Sequence, residues 1–204
     1  MRDAGALSAA AQAFMAKHGT PDIVIANAGV SFGTLAEHAE DIPAFQEILD
    51  INVIGMVNTL QPFVAPMRAA GRGSFAGIAS VAGYRGLPGA AAYSASKAAA
   101  IACLESLRIE LRGSGVAVTT VCPGYIATPM TARNPYPMPF LLSADEAAAK
   151  IAAIIARRKS FAVIPWQMAI VARCLRLIPD PLYDAVLARA KRKPRRGDAE
   201  GNRR

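Results

Sequence analysis

The sequence predicts an α/β protein with a doubly wound parallel sheet, and two observations lead to this prediction. Four short apolar runs rich in β-branched residues lie between turn residues, which is typical of strands buried on both faces. Longer segments with the periodicity of helices separate these runs. Such alternation favours parallel strands joined by helical crossovers, with helices on both faces of the sheet.

The elements follow in order along the chain. Residues 4–17 are predicted to be helical, because good helix formers place apolar residues on one face and Gly19 supplies a stop. The predicted strands are residues 22–26, 74–80, 116–122 and 161–164. The other predicted helices are residues 43–70 with kinks at Pro62 and Pro66, 91–112, 147–158 after a capping sequence at 143–146, 166–177 and 181–190.

Composition and charge indicate one folded domain with a basic tail. The chain of 204 residues is 53% hydrophobic and 19% charged, which excludes general disorder, and we assign residues 1–190 to a single domain. The net charge is +8, but residues 189–204 carry six of those charges, so we expect no nucleic-acid-binding domain. Residues 191–204 are predicted to form a solvated, disordered tail. Peripheral contact of this tail with an anionic membrane is the less favoured alternative.

The cysteines and the apolar segments bear on the compartment. Cys103, Cys122 and Cys174 are scattered and lack metal-ligand spacing, so we expect reduced thiols and no metal site. No signal peptide is visible, and the longest apolar stretch, residues 161–172, is too short to span a bilayer. We therefore expect a cytoplasmic protein.

Four polar residues form a candidate catalytic set. Tyr93 and Lys97 lie four residues apart in a predicted helix, so their side chains share one face, where an ammonium can lower the pKa of a phenol. Ser80 ends a predicted strand, at the sheet edge where open α/β proteins bind ligands. Asn52 can hold a water near the lysine. Each residue alone has an ordinary structural explanation, such as a turn cap or a chance pair, and only their combination favours catalysis.

These residues occur within a longer pattern of motifs. Ser80 is followed after twelve residues by Tyr93-Ser-Ala-Ser-Lys97, and Asn27-Ala28-Gly29 follows a predicted strand. Pro123-Gly124-Tyr-Ile-Ala-Thr128-Pro129 follows another. In this order and spacing the sequence resembles the short-chain dehydrogenase/reductase family, which implies a Rossmann-like fold and NAD or NADP as the cofactor.

The resemblance implies a role for each catalytic residue. Tyr93 is expected to act as general acid/base, Ser80 to orient the substrate oxygen, Lys97 to tune Tyr93 and bind the nicotinamide ribose, and Asn52 to complete a proton relay. The cofactor-binding residues that it implies are Asn27, Ala28, Gly29, Tyr93, Lys97, Pro123, Gly124, Ile126 and Thr128. The expected reaction is hydride transfer between the cofactor and a small carbonyl/alcohol substrate.

The family's glycine-rich turn for the cofactor pyrophosphate has no counterpart here. The chain begins at a point resembling the end of the family's third strand, so we expect an incomplete domain that lacks the first strands, roughly 50 residues or more. Either Met1 is an internal codon of a longer enzyme or the truncation is genuine. The alternative function is therefore an inactive fragment that acts only as an oligomerisation partner.

Substrate and assembly receive weaker predictions. Residues 125–142 resemble the family's substrate lid and are rich in Met, Pro and aromatic residues, which leans towards an apolar substrate. The small residues of the predicted helix 91–112 suit close packing of helices. Because family members commonly associate through this helix and the one before it, we expect a homodimer or homotetramer.

Overall fold

A computed structural model of the chain describes residues 1–196 and confirms the predicted α/β architecture. Its sheet contains four parallel strands in the order in which they occur along the chain. They are β1 (Ile23–Ala26), β2 (Gly73–Ile78), β3 (Val116–Pro123) and β4 (Phe161–Ile164). The carboxyl ends of all four strands therefore lie along one edge of the sheet.

Helices connect the strands, and the predicted ones are present with small shifts at their ends. They are α1 (Ala4–His18), α2 (Ile42–Leu49), α3 (Gly55–Ala70), α4 (Ala91–Glu110), α5 (Ala144–Ala156), α6 (Trp166–Leu177) and α7 (Asp180–Leu187). The predicted helix 43–70 is two α-helices joined by a π-helical turn, Asp50–Ile54. Pro62 and Pro66 lie inside α3.

Helices pack on both faces of the sheet, as the doubly wound prediction requires. On one face, the larger core joins Phe75 and Cys122 of the sheet to Leu60 of α3 and Leu104 of α4. On the other face, Val121 packs with Ala147 of α5 and with Ile164. Because Val121 and Cys122 are consecutive in β3, their side chains point to opposite faces and anchor the two cores.

The first strand differs from the prediction that it is buried on both faces. Val24 and Ala26 are buried, whereas Ile23 and Ile25 keep 49% and 47% of their surface exposed. β1 is also an edge strand, since among residues 1–196 it pairs only with β2. Its continuous apolar sequence thus indicated more burial than the described structure provides.

The helical run Ala39–Ala70 is long and apolar enough, by length and composition, to cross a membrane. Part of its apolar character serves packing, because Met56, Leu60 and Met67 belong to the larger core, although 28% of its most apolar window is buried. The expectation that no segment spans a bilayer rested on residues 161–172 and did not take this run into account.

The carboxyl-terminal part wraps back towards the start of α4. Arg85, in the loop before α4, donates hydrogen bonds to the carbonyl oxygens of Leu175 at 2.8 Å and Ile178 at 2.5 Å. The hydroxyl of Tyr183 in α7 donates a hydrogen bond to the carbonyl oxygen of Gly86. Residues 191–196, predicted to be a solvated tail, then lie against the loop that follows β1, where the amide of Gly33 donates to the carbonyl of Pro194 at 2.9 Å. The rest of that predicted tail, residues 197–204, lies outside the described residues.

Candidate active site

A cavity of about 430 Å³ opens at the carboxyl ends of β1, β2 and β3. Because this is the edge where open α/β sheets bind ligands, the cavity is the strongest candidate for an active site. It is lined by every residue of the predicted catalytic and cofactor-binding sets except Asn52: Asn27, Ala28, Gly29, Ser80, Tyr93, Lys97, Pro123, Gly124, Ile126 and Thr128. The structure therefore brings together residues from four separate segments of the chain.

Ser80 stands where β2 passes into a short 3₁₀ turn, Val81–Gly83. Its hydroxyl accepts a hydrogen bond from the amide of Ala82 at 3.1 Å and so caps this turn. The turn lies directly against α4, since a Cβ added at Gly83 would come within 2.7 Å of the carbonyl carbon of Lys97. The absence of a side chain at Gly83 lets the Ser80 turn and the catalytic helix approach this closely.

Tyr93 and Lys97 share one face of α4, as their spacing predicts. The ammonium nitrogen of Lys97 lies 5.8 Å from the centroid of the Tyr93 ring. Lys97 is 5% exposed and donates a hydrogen bond to the carbonyl oxygen of Ile78 at 2.8 Å. Burial lowers the pKa of Lys97 to about 8, because it disfavours the charged form.

The environment of the Tyr93 phenol differs from the sequence expectation. Burial raises the pKa of Tyr93, and a hydrogen-bonding interaction with the side chain of Ser80 opposes the rise. The expectation was that Lys97 lowers this pKa. In the structure the Lys97 ammonium donates a hydrogen bond to the carbonyl oxygen of Ile78. The Ser80 side chain, and not Lys97, opposes the rise in the pKa of Tyr93.

Asn52 lies behind the cavity rather than in its wall. It occupies the π-helical turn between α2 and α3 and is 2% exposed. Its amide group bonds both backbone groups of Val30, accepting from the N–H at 2.8 Å and donating to the carbonyl at 3.0 Å. It also donates to the hydroxyl of Ser96 at 2.9 Å. Asn52 thus joins the loop after β1 to α4.

Ser96 is a positioning residue that the sequence analysis did not single out. Its hydroxyl accepts from Asn52 and donates to the carbonyl of Tyr93 at 2.7 Å. Its only sequence signal is that it is a serine on a helix otherwise rich in alanine, three residues after the tyrosine. A serine that bonds back to the preceding turn is common in helices, so this signal alone indicates no function.

The chemistry of two cavity residues, Gly29 and Lys97, is compatible with a nicotinamide cofactor. A Cβ added at Gly29 would lie 3.2 Å from the Asn52 side-chain oxygen and 3.4 Å from the Lys97 ammonium. The bare backbone of Gly29 therefore leaves open the space beside the lysine. The Lys97 ammonium has three donors, of which one is used by Ile78, so it retains donors for a ribose hydroxyl.

The loop after β3 forms another part of the cavity wall. Its two ends pair, since the amide of Ala127 donates to the carbonyl of Leu142 at 2.8 Å and that of Leu142 donates to Tyr125 at 3.0 Å. The hydroxyl of Thr131 accepts from the amide of Thr128 at 3.0 Å and so fixes the predicted cofactor-facing turn. Met130 and Thr131 also line the cavity, although the sequence analysis did not assign them to the site.

Comparison with known proteins agrees with this geometry. A sequence model for short chain dehydrogenases matches residues 1–137. An uncharacterized oxidoreductase of Myxococcus xanthus is 41% identical over 182 residues, which cover 88% of this chain and 71% of that protein. The 2-(R)-hydroxypropyl-CoM dehydrogenase of Xanthobacter autotrophicus is 34% identical over 131 residues, 63% of this chain and 52% of the enzyme. The chain thus spans about half the length of that enzyme.

Solved structures show the same likeness. The crystal structure of a short chain dehydrogenase from Burkholderia cenocepacia in complex with NADP superposes with a TM-score of 0.78 at 26% identity. The superposition covers 91% of this chain and 75% of that one.

Proposed function

The chain belongs to the short-chain dehydrogenase family, and on this premise we propose that it is an oxidoreductase that transfers hydride between NAD or NADP and a carbonyl/alcohol pair. One observation carries the proposal. Ser80, Tyr93 and Lys97 meet in one cavity with the segments that follow β1 and β3.

Tyr93 is the proposed general acid/base. In the direction of reduction its phenol gives a proton to the carbonyl oxygen, and in the direction of oxidation its phenolate takes the proton of the alcohol. Ser80 supports this role with the one proton of its hydroxyl. Its interaction with Tyr93 favours the phenolate against the effect of burial, and when substrate binds the hydroxyl can instead donate to the substrate oxygen.

Lys97 and Asn52 hold the site around the tyrosine. Lys97 lines the cavity and has donors beyond the one that binds Ile78, and these can bind ribose hydroxyls. When bound, the cofactor supplies or accepts the hydride at the carbonyl carbon. Asn52 sets the distance between the loop after β1 and α4 through Val30 and Ser96, and the proton relay through Asn52 stays a prediction.

The test is oxidation of NADH or NADPH, followed by absorbance, with a panel of ketones and aldehydes. Replacing Tyr93 by Phe removes the proton donor, so we expect kcat to fall by about 10²- to 10⁴-fold. Tyr84→Phe is the matched control. Tyr84 is another half-buried tyrosine, but its ring packs against Phe161 and it does not line the cavity. Equal activity of the wild type and Tyr93→Phe would exclude the proposed acid/base.

Self-association stays a prediction of the same proposal. An apolar groove of about 390 Å³ runs between α3 and α4, lined among others by Val57, Leu60 and Leu107. A second copy of the chain is the occupant expected from the family's usual assembly. A chain that associates in sedimentation experiments but turns over no carbonyl compound would favour the alternative of an inactive oligomerisation partner.

A further inference from the structure

A second cavity of about 520 Å³ lies beside the catalytic one and shares Pro129 and Met130 with it. One wall is the loop Val30, Ser31 and Phe32 that follows β1. The opposite wall is the carboxyl-terminal segment. Four of its lining side chains are basic and none is acidic: Arg133, Lys193, Arg195 and Arg196.

Ion pairs fix the carboxyl-terminal segment in this position. Arg195 binds both carboxylate oxygens of Asp41, at 2.8 and 3.1 Å, and Glu40 at 2.9 Å. Arg196 pairs with Glu47 at 2.8 Å. These three carboxylates more than offset the charges of the two arginines, so the basic groups of the cavity without an acidic partner among the described residues are Lys193 and Arg133.

Lys193 is held next to the proposed acid/base without a carboxylate partner. Its ammonium donates to the hydroxyl of Ser31 at 2.7 Å and lies 5.6 Å from the centroid of the Tyr93 ring. Within residues 1–196 neither Lys193 nor Arg133 takes part in an ion pair. Burial lowers the pKa of Lys193 to about 8, which is the mark of a desolvated, uncompensated cation.

We propose that Lys193 binds the carboxylate of an anionic substrate, so that the enzyme acts on short oxo acids and hydroxy acids. The proposal rests on the function proposed above. A single, partly buried ammonium matches a single negative charge, and the hydroxyl of Ser31 holds it in place. Arg133, which is exposed at the same cavity, attracts the anion from solvent.

The geometry also limits the length of the substrate. The ammonium groups of Lys193 and Lys97 lie 5.6 and 5.8 Å from the centroid of the Tyr93 ring. A molecule with its carboxylate on Lys193 and its carbonyl group at Tyr93, in the adjoining cavity, is therefore expected to be short. Met130, which lies between the two cavities, can cover the carbon chain that joins these groups.

The first experiment compares short 2-oxo and 3-oxo acids with their uncharged amides, for example acetoacetate with acetoacetamide. We expect the wild type to prefer the acids in kcat/KM. Lys193→Met should reduce kcat/KM for the acids by about 10- to 100-fold, the loss of one charge-assisted hydrogen bond, and should affect the amides much less, so that the ratio of the two kcat/KM values falls. Lys193→Arg should restore most of the preference. Lys191→Met, in the same segment but exposed, is the matched control.

The second experiment measures binding of acetoacetate without cofactor, by calorimetry, to the wild type and to Lys193→Met. Binding that is lost only in Lys193→Met supports the anion site even if no carbonyl compound is turned over, in which case the proposed function fails and the site remains. Turnover of amides and acids alike, unaffected by Lys193→Met, overturns the anion site and leaves the proposed function intact. Absence of acetoacetate binding to the wild type also counts against the site.

Discussion

At the scale of single residues, the site depends on ammonium groups that the fold has removed from water. Desolvation disfavours their charged forms, and the carbonyl of Ile78 and the hydroxyl of Ser31 compensate only part of this cost. Such groups stabilise whatever negative charge or hydroxyl group enters beside them. The buried lysines thus weaken the empty fold in favour of binding.

The pH dependence of stability should report the buried Lys97. Its pKa is lowered to about 8 from an ordinary value near 10.5, so above about pH 8 the unfolded chain holds a proton that the folded chain has released. Stability therefore rises with pH in this window. Between about pH 7 and 9 the free energy of unfolding of the wild type should gain about 1 kcal/mol relative to Lys97→Met.

Urea unfolding at several pH values measures this difference. The series stays below about pH 9 because the buried thiol of Cys122, with its pKa raised to about 12, contributes in the opposite direction above that pH. Lys150→Met, on the exposed side of α5, is the control and should follow the wild type throughout. A constant difference between wild type and Lys97→Met would show that the lysine is not desolvated.

Sequence reasoning at this scale identified the residues but not their partners. The spacing of Ser80, Tyr93 and Lys97 predicted that they share a site, and they line one cavity. It did not predict that Lys97, in α4, donates to the carbonyl of Ile78, because Ile78 lies in a different element, β2. Nor did it predict the burial that raises the pKa of Tyr93, since burial depends on the packing of distant segments.

At the scale of elements, the π-helical turn Asp50–Ile54 is the feature that joins two parts of the site. The extra residue in this turn lets the side chain of Asn52 reach the backbone of Val30 instead of following the face of a regular helix. Without Asn52, the partly buried N–H and carbonyl of Val30 would lose these partners. The turn is therefore stabilised by the contacts that it makes possible.

Replacing Asn52 by Ala should lower the free energy of unfolding by about 2 to 3 kcal/mol. The physical reason is that both backbone groups of Val30 and the hydroxyl of Ser96 lose buried hydrogen bonds at once. Asn58→Ala is a suitable control, because the Asn58 amide makes only an exposed bond to Met1 at 3.3 Å, and it should change stability by less than about 0.5 kcal/mol. Equal losses of stability in the Asn52 and Asn58 variants would contradict this role of the Asn52 hydrogen bonds.

Local signals were sufficient for regular elements and not for the irregular one. Ser143 and Glu146 form the capping box that the sequence predicted, with reciprocal bonds of 3.2 and 3.0 Å at the start of α5. Residues 43–70 instead read as one helix with proline kinks. The irregularity occurs at Asn52 because tertiary hydrogen bonds to Val30 and Ser96, which leave no mark in the local pattern, favour it there.

At the scale of the whole molecule, the carboxyl-terminal part of the described chain packs against the loop after β1. The loop after β1 receives the carboxyl-terminal segment, whose arginines pair with Glu40, Asp41 and Glu47. The hydrogen bond from Arg195 holds the pKa of Asp41 below its ordinary range. The contact is therefore present above the usual pKa of an aspartate and is lost as the pH falls through the lowered value.

Replacing Arg195 by Ala should release the segment and expose the amide of Gly33, which donates to Pro194. We expect the protection of that amide against hydrogen exchange, relative to the intrinsic rate at the same pH, to fall several-fold near neutral pH, and the protection in the wild type to fall likewise when the pH drops through the lowered pKa of Asp41. Arg189→Ala, at an exposed position before the segment, is the control. Unchanged exchange in Arg195→Ala would mean that the ion pairs do not hold the segment.

The predicted cytoplasmic location stays a prediction, because none of these contacts bears on it.

The sequence by itself determined the fold class, the order of strands and helices, the family and the set of residues that line the candidate cavity, all but Asn52. It could do so because apolar periodicity and motif spacing are local properties that a parallel sheet converts into a common edge. Only the tertiary structure decided that Asn52 lies behind the cavity, that β1 is half exposed, and that Lys193 reaches Tyr93. These facts depend on contacts between residues far apart in the chain, such as the 162 positions between Ser31 and Lys193, and no local pattern encodes them.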